Sequence, residues 1–458
     1  MASSIKQQMK KTVVIDVVGL SAHLIGGHTP FLQDYIKGRQ VQSIVPMLPA
    51  VTTSVQSTYV TGKWPTETGI VGNGWYDHQD SEIKFWKQSN KLVAGEKIWE
   101  KAKKVDPSFT CSKMFWWYNM YSSADFSATP RPQYLADGRK MPDCYTQPTG
   151  LRDELQKELG QFPLFQFWGP GANIKSTQWI ADASVFTDRR YDPTLTLIYL
   201  PHLDYCLQKF GPDFELIGKE LTEIDQVVNG LVDYYTKKKA NIILLSEYGI
   251  SPVSRPVHFN RLLRKKGLLR IREERGLELL DAGASKAFAV ADHQVAHIYV
   301  NDPSVMEEVK RLAEATQGVR LVLDRAQQKK HHINHERSGD LVLIADEHSW
   351  FTYYFWLDDV KAPDYARAVD IHKKPGYDPV EMFMSSKLRA GYKLLRKKLG
   401  FRYVMDVIPL DANLIKGSHG SPFVDSKYHP VLITDKKVSD SPVPATSVHG
   451  IIWESLTS

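Results

Sequence analysis

The sequence predicts an α/β fold, with a central, mostly parallel sheet covered on both faces and cap segments inserted over it. Two observations carry this. Continuous apolar runs bounded by polar or Gly residues recur at 12–18 (TVVIDVV), 194–205 (TLTLIYLPHLDY), 240–250 (ANIILLSEYGI), 294–300 (QVAHIYV) and 340–346 (DLVLIAD). Strands buried on both faces read as such runs. Between the second and third runs, Leu221, Ile224, Val228, Leu231 and Tyr235 fall three or four apart, and lysines gather at 237–239, where a helix dipole favours cations. The stretch from about 196 to 246 is therefore expected to form a β-α-β unit.

With 458 residues, the chain exceeds the usual single-domain size. It is expected to divide into a first core part (1–110), an inserted cap (111–190), a second core part (191–300), a mixed insertion and core strand (301–400) and a last core part (401–458). The cap is placed at 111–190 because MFWWYNMYSSADF and TPRPQYLADGRKMPDCY are rich in aromatics, Pro and Gly and lack sustained periodicity.

Hydrophobic content of 42% and charged content of 24% exclude a disordered or collagen-like chain. The net charge of +6 is mild, and clusters such as Arg261–Arg275 read as a solvated helix face rather than a nucleic-acid groove. Cys111, Cys144 and Cys206 are too few and scattered for a disulfide framework or a C-x-x-C zinc site, which suits a reducing compartment. MASSIKQQMKK passes into the first strand without a signal-like apolar region, and no apolar run approaches the roughly 20 residues that span a bilayer. The expectation is a cytoplasmic protein with no nucleic-acid or membrane partner, its oligomeric state open.

In open α/β sheets, ligands sit beyond the carboxyl ends of the strands. Asp16, Asp204 and Glu247 each end or interrupt an apolar run. Carboxylates converging at one edge repel unless a cation or proton intervenes. His202 and Asp204, two apart on a segment read as extended, would share a face. His419 sits in the Gly-flanked loop IKGSHGSP. A helix is expected after Pro49 with Thr52 or Thr53 in its first turn, where a hydroxyl suits either an N-cap or a nucleophile attacking phosphate. A threonine becomes a nucleophile only when a metal or base activates it.

Together these segments resemble the alkaline phosphatase superfamily, most closely its nucleotide pyrophosphatase/phosphodiesterase branch, over roughly 11–100, 195–250 and 410–435. PAVTTSVQSTYVTGKWPTETGIVGNGWYD (49–77) keeps the branch's P-x-x-T, T-G, P and G-I-x-x-N-x-x-Y-D spacing. The resemblance implies an alkaline-phosphatase-like sandwich and makes Thr52 the nucleophile. It also implies two divalent cations, zinc, manganese or magnesium, held by Asp16, Thr52, Asp204, Gln208, Glu247, Tyr248 and His419.

Three ligand positions depart from the pattern. Gln208 stands where the first site expects His, and Glu247 and Tyr248 stand where the second expects Asp and His. Loss of imidazoles moves preference from zinc toward Mg²⁺ or Mn²⁺, or weakens binding outright. His202, His293 and His297 are candidate compensating ligands, the last two read as sharing one face of a strand. Val55 replaces the Asn that the branch uses on a phosphate oxygen, so Gln56 and Asn119, with Asn73, are candidate substrate contacts. Trp116 and Trp117 are candidates to stack on a base. The expected function is metal-dependent hydrolysis of a small phosphorylated, nucleotide-like diester or pyrophosphate through a phosphothreonine. The alternatives are a C–P bond hydrolase or a catalytically lapsed anion-binding protein.

Overall fold

Thr12–Val17 (β1), buried along its whole length, is the middle strand of a nine-stranded sheet. The computed structural model describes residues 9–458 except 402, 437, 439 and 440, so the first eight residues of the expected first core part lie outside the described residues. In chain order the other strands are Gln40–Val45 (β2), Cys111–Met114 (β3), Phe126–Pro130 (β4), Cys144–Gln147 (β5), Leu195–Leu200 (β6), Asn241–Leu245 (β7), Val431–Thr434 (β8) and Val443–Pro444 (β9). They lie in the order β9-β2-β8-β7-β1-β6-β3-β4-β5. Pairing is parallel except where β8 meets β7 and β2, and where β5 meets β4. The sheet is mostly parallel, as expected.

The expected β-α-β unit is present. Between β6 and β7 run His202–Phe210 and Phe214–Lys237, and both strands pair with β1. Val13, Ile15 and Val17 pack with Ile224, Val228 and Leu231 on one face, while Val14 packs on the other with Val55 and Tyr59. Strand parity therefore puts Asp16 on the Val14 face, toward the helix that follows Pro49. Its register partners are Tyr199 of β6 and Leu245 of β7, so the chain just beyond those strands emerges beside it.

Two expectations about the chain's organisation need correction. Residues 111–190 are not a cap over the sheet, because β3, β4 and β5 belong to it and Ile174–Tyr191 packs against β6. These strands have only four or five residues, too short to show a period. Val295–Val300 and Leu341–Ala345 are not parallel core strands. With Ala287–Asp292 and Val319–Leu323 they form a separate four-stranded antiparallel sheet. Its two faces are covered by different clusters, Leu343 and Ile298 in one and Val342 and Ile344 in the other, so no in-out alternation marks it as antiparallel. Among the described residues no helix is long and apolar enough to cross a membrane.

Candidate functional site

The helix Thr52–Thr61 (α1) is buried at every position and ends at Gly62, whose φ of 69° supplies the left-handed terminus that glycine adopts without strain. Its N-cap is Val51, with no side-chain cap, so the Thr52 hydroxyl is not used as a helix cap. It lies 3.0 Å from Tyr248 Oη instead. Tyr248 Oη donates to Asp204 Oδ1 at 3.2 Å, and Gln208 Nε2 donates to Asp204 Oδ2 at 2.8 Å. With the phenol's one hydrogen on the carboxylate, the Thr52 hydroxyl is left to donate to Tyr248 or to Glu247, which also lies within its hydrogen-bond reach. Gln208 Oε1 in turn accepts from Tyr377 Oη at 3.0 Å.

On the other side of Thr52, two buried carboxylates meet. Both oxygens of Asp16 and Oε2 of Glu247 have no donor, while Glu247 Oε1 accepts from Gln56 Nε2. As bare carboxylates the pair have nothing to give each other, and their contact becomes a hydrogen bond only when one is protonated. Burial raises Asp16 to about 7, against the lowering contact with Glu247. Glu247 is pushed well above its ordinary value by burial first and the Asp16 charge second. Asp204 is also raised to about 7 by burial, against the hydrogen bonds from Gln208 and Tyr248.

His419 completes the wall. Its Nδ1 donates to Ala50 O at 2.7 Å, leaving Nε2 bare and 3.6 Å from Asp204 Oδ1. Its ring is sandwiched between Tyr248, at 3.6 Å, and His293, at 3.8 Å. His293 also stacks on Tyr377 at 3.6 Å and is held by Asp292 at 2.8 Å.

The structure thus gathers Asp16, Thr52, Gln56, Asp204, Gln208, Glu247, Tyr248, His293 and His419, and leaves other candidates elsewhere. His202 lies in the helix His202–Phe210, not an extended segment, so it points away from Asp204 and faces Glu223 at 3.4 Å. His293 sits in the turn before Val295–Val300 rather than on a strand face with His297. His297 joins two backbones, donating to Val71 O at 3.0 Å and accepting from Gly339 N at 3.1 Å. Asn73 ties α1 to the second lobe, the part of the chain built on the four-stranded antiparallel sheet, accepting from Thr53 N at 3.2 Å and donating to Asp292 at 3.1 Å. Asn119 donates to Lys113 O and Ala128 O, at 3.1 and 2.9 Å. Trp116 is core, packed with Val55 and Tyr59, so it offers no stacking face. Trp117 is buried too, its indole bonded to Lys87 O at 3.1 Å and its backbone N–H donating to Gln56 Oε1 at 2.6 Å. Tyr377 was not singled out from the sequence. No local pattern marks it, because its partner Gln208 is 169 positions away. Among the described residues no group of three or more His, Cys, Asp or Glu is arranged to hold a metal ion.

The sequence pattern of the type I phosphodiesterase / nucleotide pyrophosphatase family matches residues 12–378. An uncharacterized pyrophosphatase/phosphodiesterase of Schizosaccharomyces pombe is 27% identical over 254 residues, covering 53% of this chain and 45% of the relative. Ectonucleotide pyrophosphatase/phosphodiesterase 1 of Saccharomyces cerevisiae is 25% identical over 276 residues, covering 54% and 34%. The chain thus spans less than half the length of these relatives. Among solved structures, murine ectonucleotide pyrophosphatase/phosphodiesterase 5, also solved as an inactive form in complex with AMP, superposes with a TM-score of 0.58 at 15% identity, covering 98% of this chain and 95% of that one. Phosphonoacetate hydrolase from Sinorhizobium meliloti in complex with phosphonoacetate gives 0.61 at 14% identity, covering 98% and 96%. These likenesses speak to fold. With the family pattern running through both lobes, the chain belongs to the type I phosphodiesterase / nucleotide pyrophosphatase family, within the alkaline phosphatase superfamily.

Proposed function

We propose that the chain is a phosphohydrolase that cleaves a small phosphodiester or pyrophosphate through a covalent phosphothreonine on Thr52. The observation that carries this is the line Thr52–Tyr248–Asp204, in which a hydroxyl at the first turn of a buried helix is aimed at a phenol and a carboxylate instead of capping the helix. Thr52 Oγ1 attacks phosphorus as the bond to the leaving oxygen breaks. Its proton passes to Tyr248 Oη while the Tyr248 proton passes to Asp204, and the leaving oxygen takes a proton from solvent. Water then cleaves the Thr52–phosphate bond, releasing its proton to solvent, and the proton on Asp204 returns through Tyr248 to Thr52. The helix N-terminus favours the phosphate's negative charge.

The expected cation pair fits in one half only. Asp16 and Glu247 offer three buried oxygens without donors beside Thr52, an all-oxygen set that suits Mg²⁺ or Mn²⁺. A cation held there supplies charge to the phosphoryl oxygen and acidity to the Thr52 hydroxyl. The other half does not fit. Both Asp204 oxygens already accept from Gln208 and Tyr248, and the Gln208 oxygen is turned to Tyr377. Gln208 and Tyr248 therefore serve as hydrogen-bond donors in place of a cation.

Family membership and the AMP held by the murine structure of this fold support a nucleotide-like substrate. Three unpaired, buried cysteines support a cytoplasmic setting. The test is hydrolysis of a chromogenic phosphodiester by metal-stripped protein with Mg²⁺, Mn²⁺ or Zn²⁺ restored, beside Thr52→Ala, with phosphonoacetate as a parallel substrate. Mg²⁺- or Mn²⁺-dependent turnover lost in Thr52→Ala, and a trapped phosphate on the Thr52 peptide by mass spectrometry, are expected. Cleavage of the phosphonate alone would favour the C–P hydrolase. AMP binding without any turnover would favour the lapsed enzyme.

A further inference from the structure

The helix Lys387–Lys398 (α2) is turned inside out. Its sequence, KLRAGYKLLRKK, places Leu388, Tyr392 and Leu395 on one stripe at 100° per residue, and Leu399 just past its end continues that line. A surface helix buries such a stripe. Here the four side chains are 88%, 58%, 54% and 63% exposed, and Phe401, next along, is 59% exposed. The face turned inward carries Ala390, which is buried, and Lys393, which pairs with Asp406 at 2.7 Å. Arg389 pairs with the same carboxylate.

Charge says what covers the stripe. Six Lys and Arg lie between 387 and 398, and no Asp or Glu occurs between Glu381 and Asp406. At helical spacing, Lys387 and Lys398 flank the stripe on one side and Arg389 and Arg396 on the other. The Arg396 guanidinium lies over the rings of Tyr392 and Phe401, each at 6.0 Å. A leucine and aromatic stripe bordered on both sides by cations is the pattern of a helix lying in a lipid headgroup layer. A second copy of this chain would bring the same positive face against itself, and a nucleic acid would leave the leucines in water.

We propose that α2 and the residues just after it dock the protein onto an anionic lipid surface, with Leu388, Tyr392, Leu395, Leu399 and Phe401 entering the headgroup boundary and the flanking Lys387 and Lys398 meeting lipid phosphates. The anionic face of a cytoplasmic leaflet supplies that chemistry. This inference is independent of the reaction at Thr52. It replaces the expectation of no membrane partner with a peripheral one.

The test uses the full chain and sedimentation with phosphatidylcholine vesicles, with and without phosphatidylserine. Binding to the serine-containing vesicles that weakens with salt is expected, together with at least a ~10-fold loss in Leu388→Ser/Leu395→Ser/Leu399→Ser, given the transfer energy of three leucines. Lys387→Glu/Lys398→Glu should weaken binding to the anionic vesicles alone. Both variants alter exposed side chains, and phosphodiester turnover should stay unchanged in solution. No vesicle binding by the wild-type chain, or equal binding by the triple variant, overturns the proposal. So does a dimer by light scattering that the triple variant dissolves, since the covering partner would then be a second copy.

Discussion

The Tyr248 phenol lies flat on the His419 imidazole, with centroids 3.6 Å apart and planes within 6°, while its hydroxyl reaches both Thr52 and Asp204. The stack fixes the ring, and the ring fixes where the hydroxyl sits. Tyr248→Phe keeps the stack and removes the link. We expect kcat to fall about 10²- to 10⁴-fold, the range for a lost proton-transfer partner, with KM little changed. Steady-state kinetics that show KM rising and kcat preserved would instead make Tyr248 a substrate-binding group.

Asp16 and Glu247 hold the clearest electrostatic conflict in the core. Two buried carboxylates with three unpartnered oxygens destabilise the cation-free protein, so Asp16→Asn should stabilise it by about 1–3 kcal/mol, the penalty of a buried group lacking its partner. If Mg²⁺ binds there, it should raise the melting temperature of the wild-type chain by binding only the folded state, and the same change should abolish that rise. Scanning calorimetry with and without Mg²⁺ reads both effects. An Asp16→Asn protein that melts lower without metal and still responds to it would remove the cation from this position.

What the sequence revealed and what it hid follow from separation and length. The strand Thr12–Val17 and the helix Phe214–Lys237 were legible because burial on both faces, or on one helical stripe, leaves a long local pattern. Cys111–Met114 was not, since a four-residue strand containing a buried Ser112 and Lys113 has no apolar run to show. The apolar run Leu195–Tyr205 also concealed a boundary. It passes from strand to helix at Pro201, and only as one continuous extended segment would it put His202 and Asp204 on one face. Thr52 stood out through its spacing motif. His293 and Tyr377 reach the site from the second lobe and from a distant turn, and only the folded chain joins them to Gln208 and His419.

Lys374 is buried with two carboxylates, Asp378 and Glu381, each at 2.7 Å. Burial pulls its ammonium down, but the two carboxylates hold it above its ordinary value. Glu381 also accepts from Trp168 Nε1 at 2.6 Å. This knot anchors the segment that presents Tyr377. Lys374→Met leaves both carboxylates without their cation, and we expect a loss of about 3–5 kcal/mol in urea unfolding, as for a broken buried ion pair. A loss under about 1 kcal/mol, typical of exposed pairs, would mean that water reaches the cluster.

Acid should draw stability from the protein at His297 and His258. Burial lowers His297 from its ordinary 6.5 to about 4, against the raising effects of the Val71 carbonyl and Asp292, with Arg325 adding to the lowering. The folded chain therefore holds this ring neutral in a pH range where the unfolded chain protonates it. Its contribution is fully present above about 6.5 and is lost as pH falls toward about 4. His258, lowered to about 4 by burial and by Arg261, acts in the same direction. Asp16 and Asp204, raised to about 7 by burial, act with the opposite sign across the same window, so comparing urea midpoints with those of a His297 variant isolates the ring. His297→Gln should start less stable at pH 7, having lost the bridge between Val71 and Gly339, and then fall less steeply with acid, so that the two proteins converge near pH 4. Parallel curves would show that His297 keeps its ordinary proton affinity in the fold.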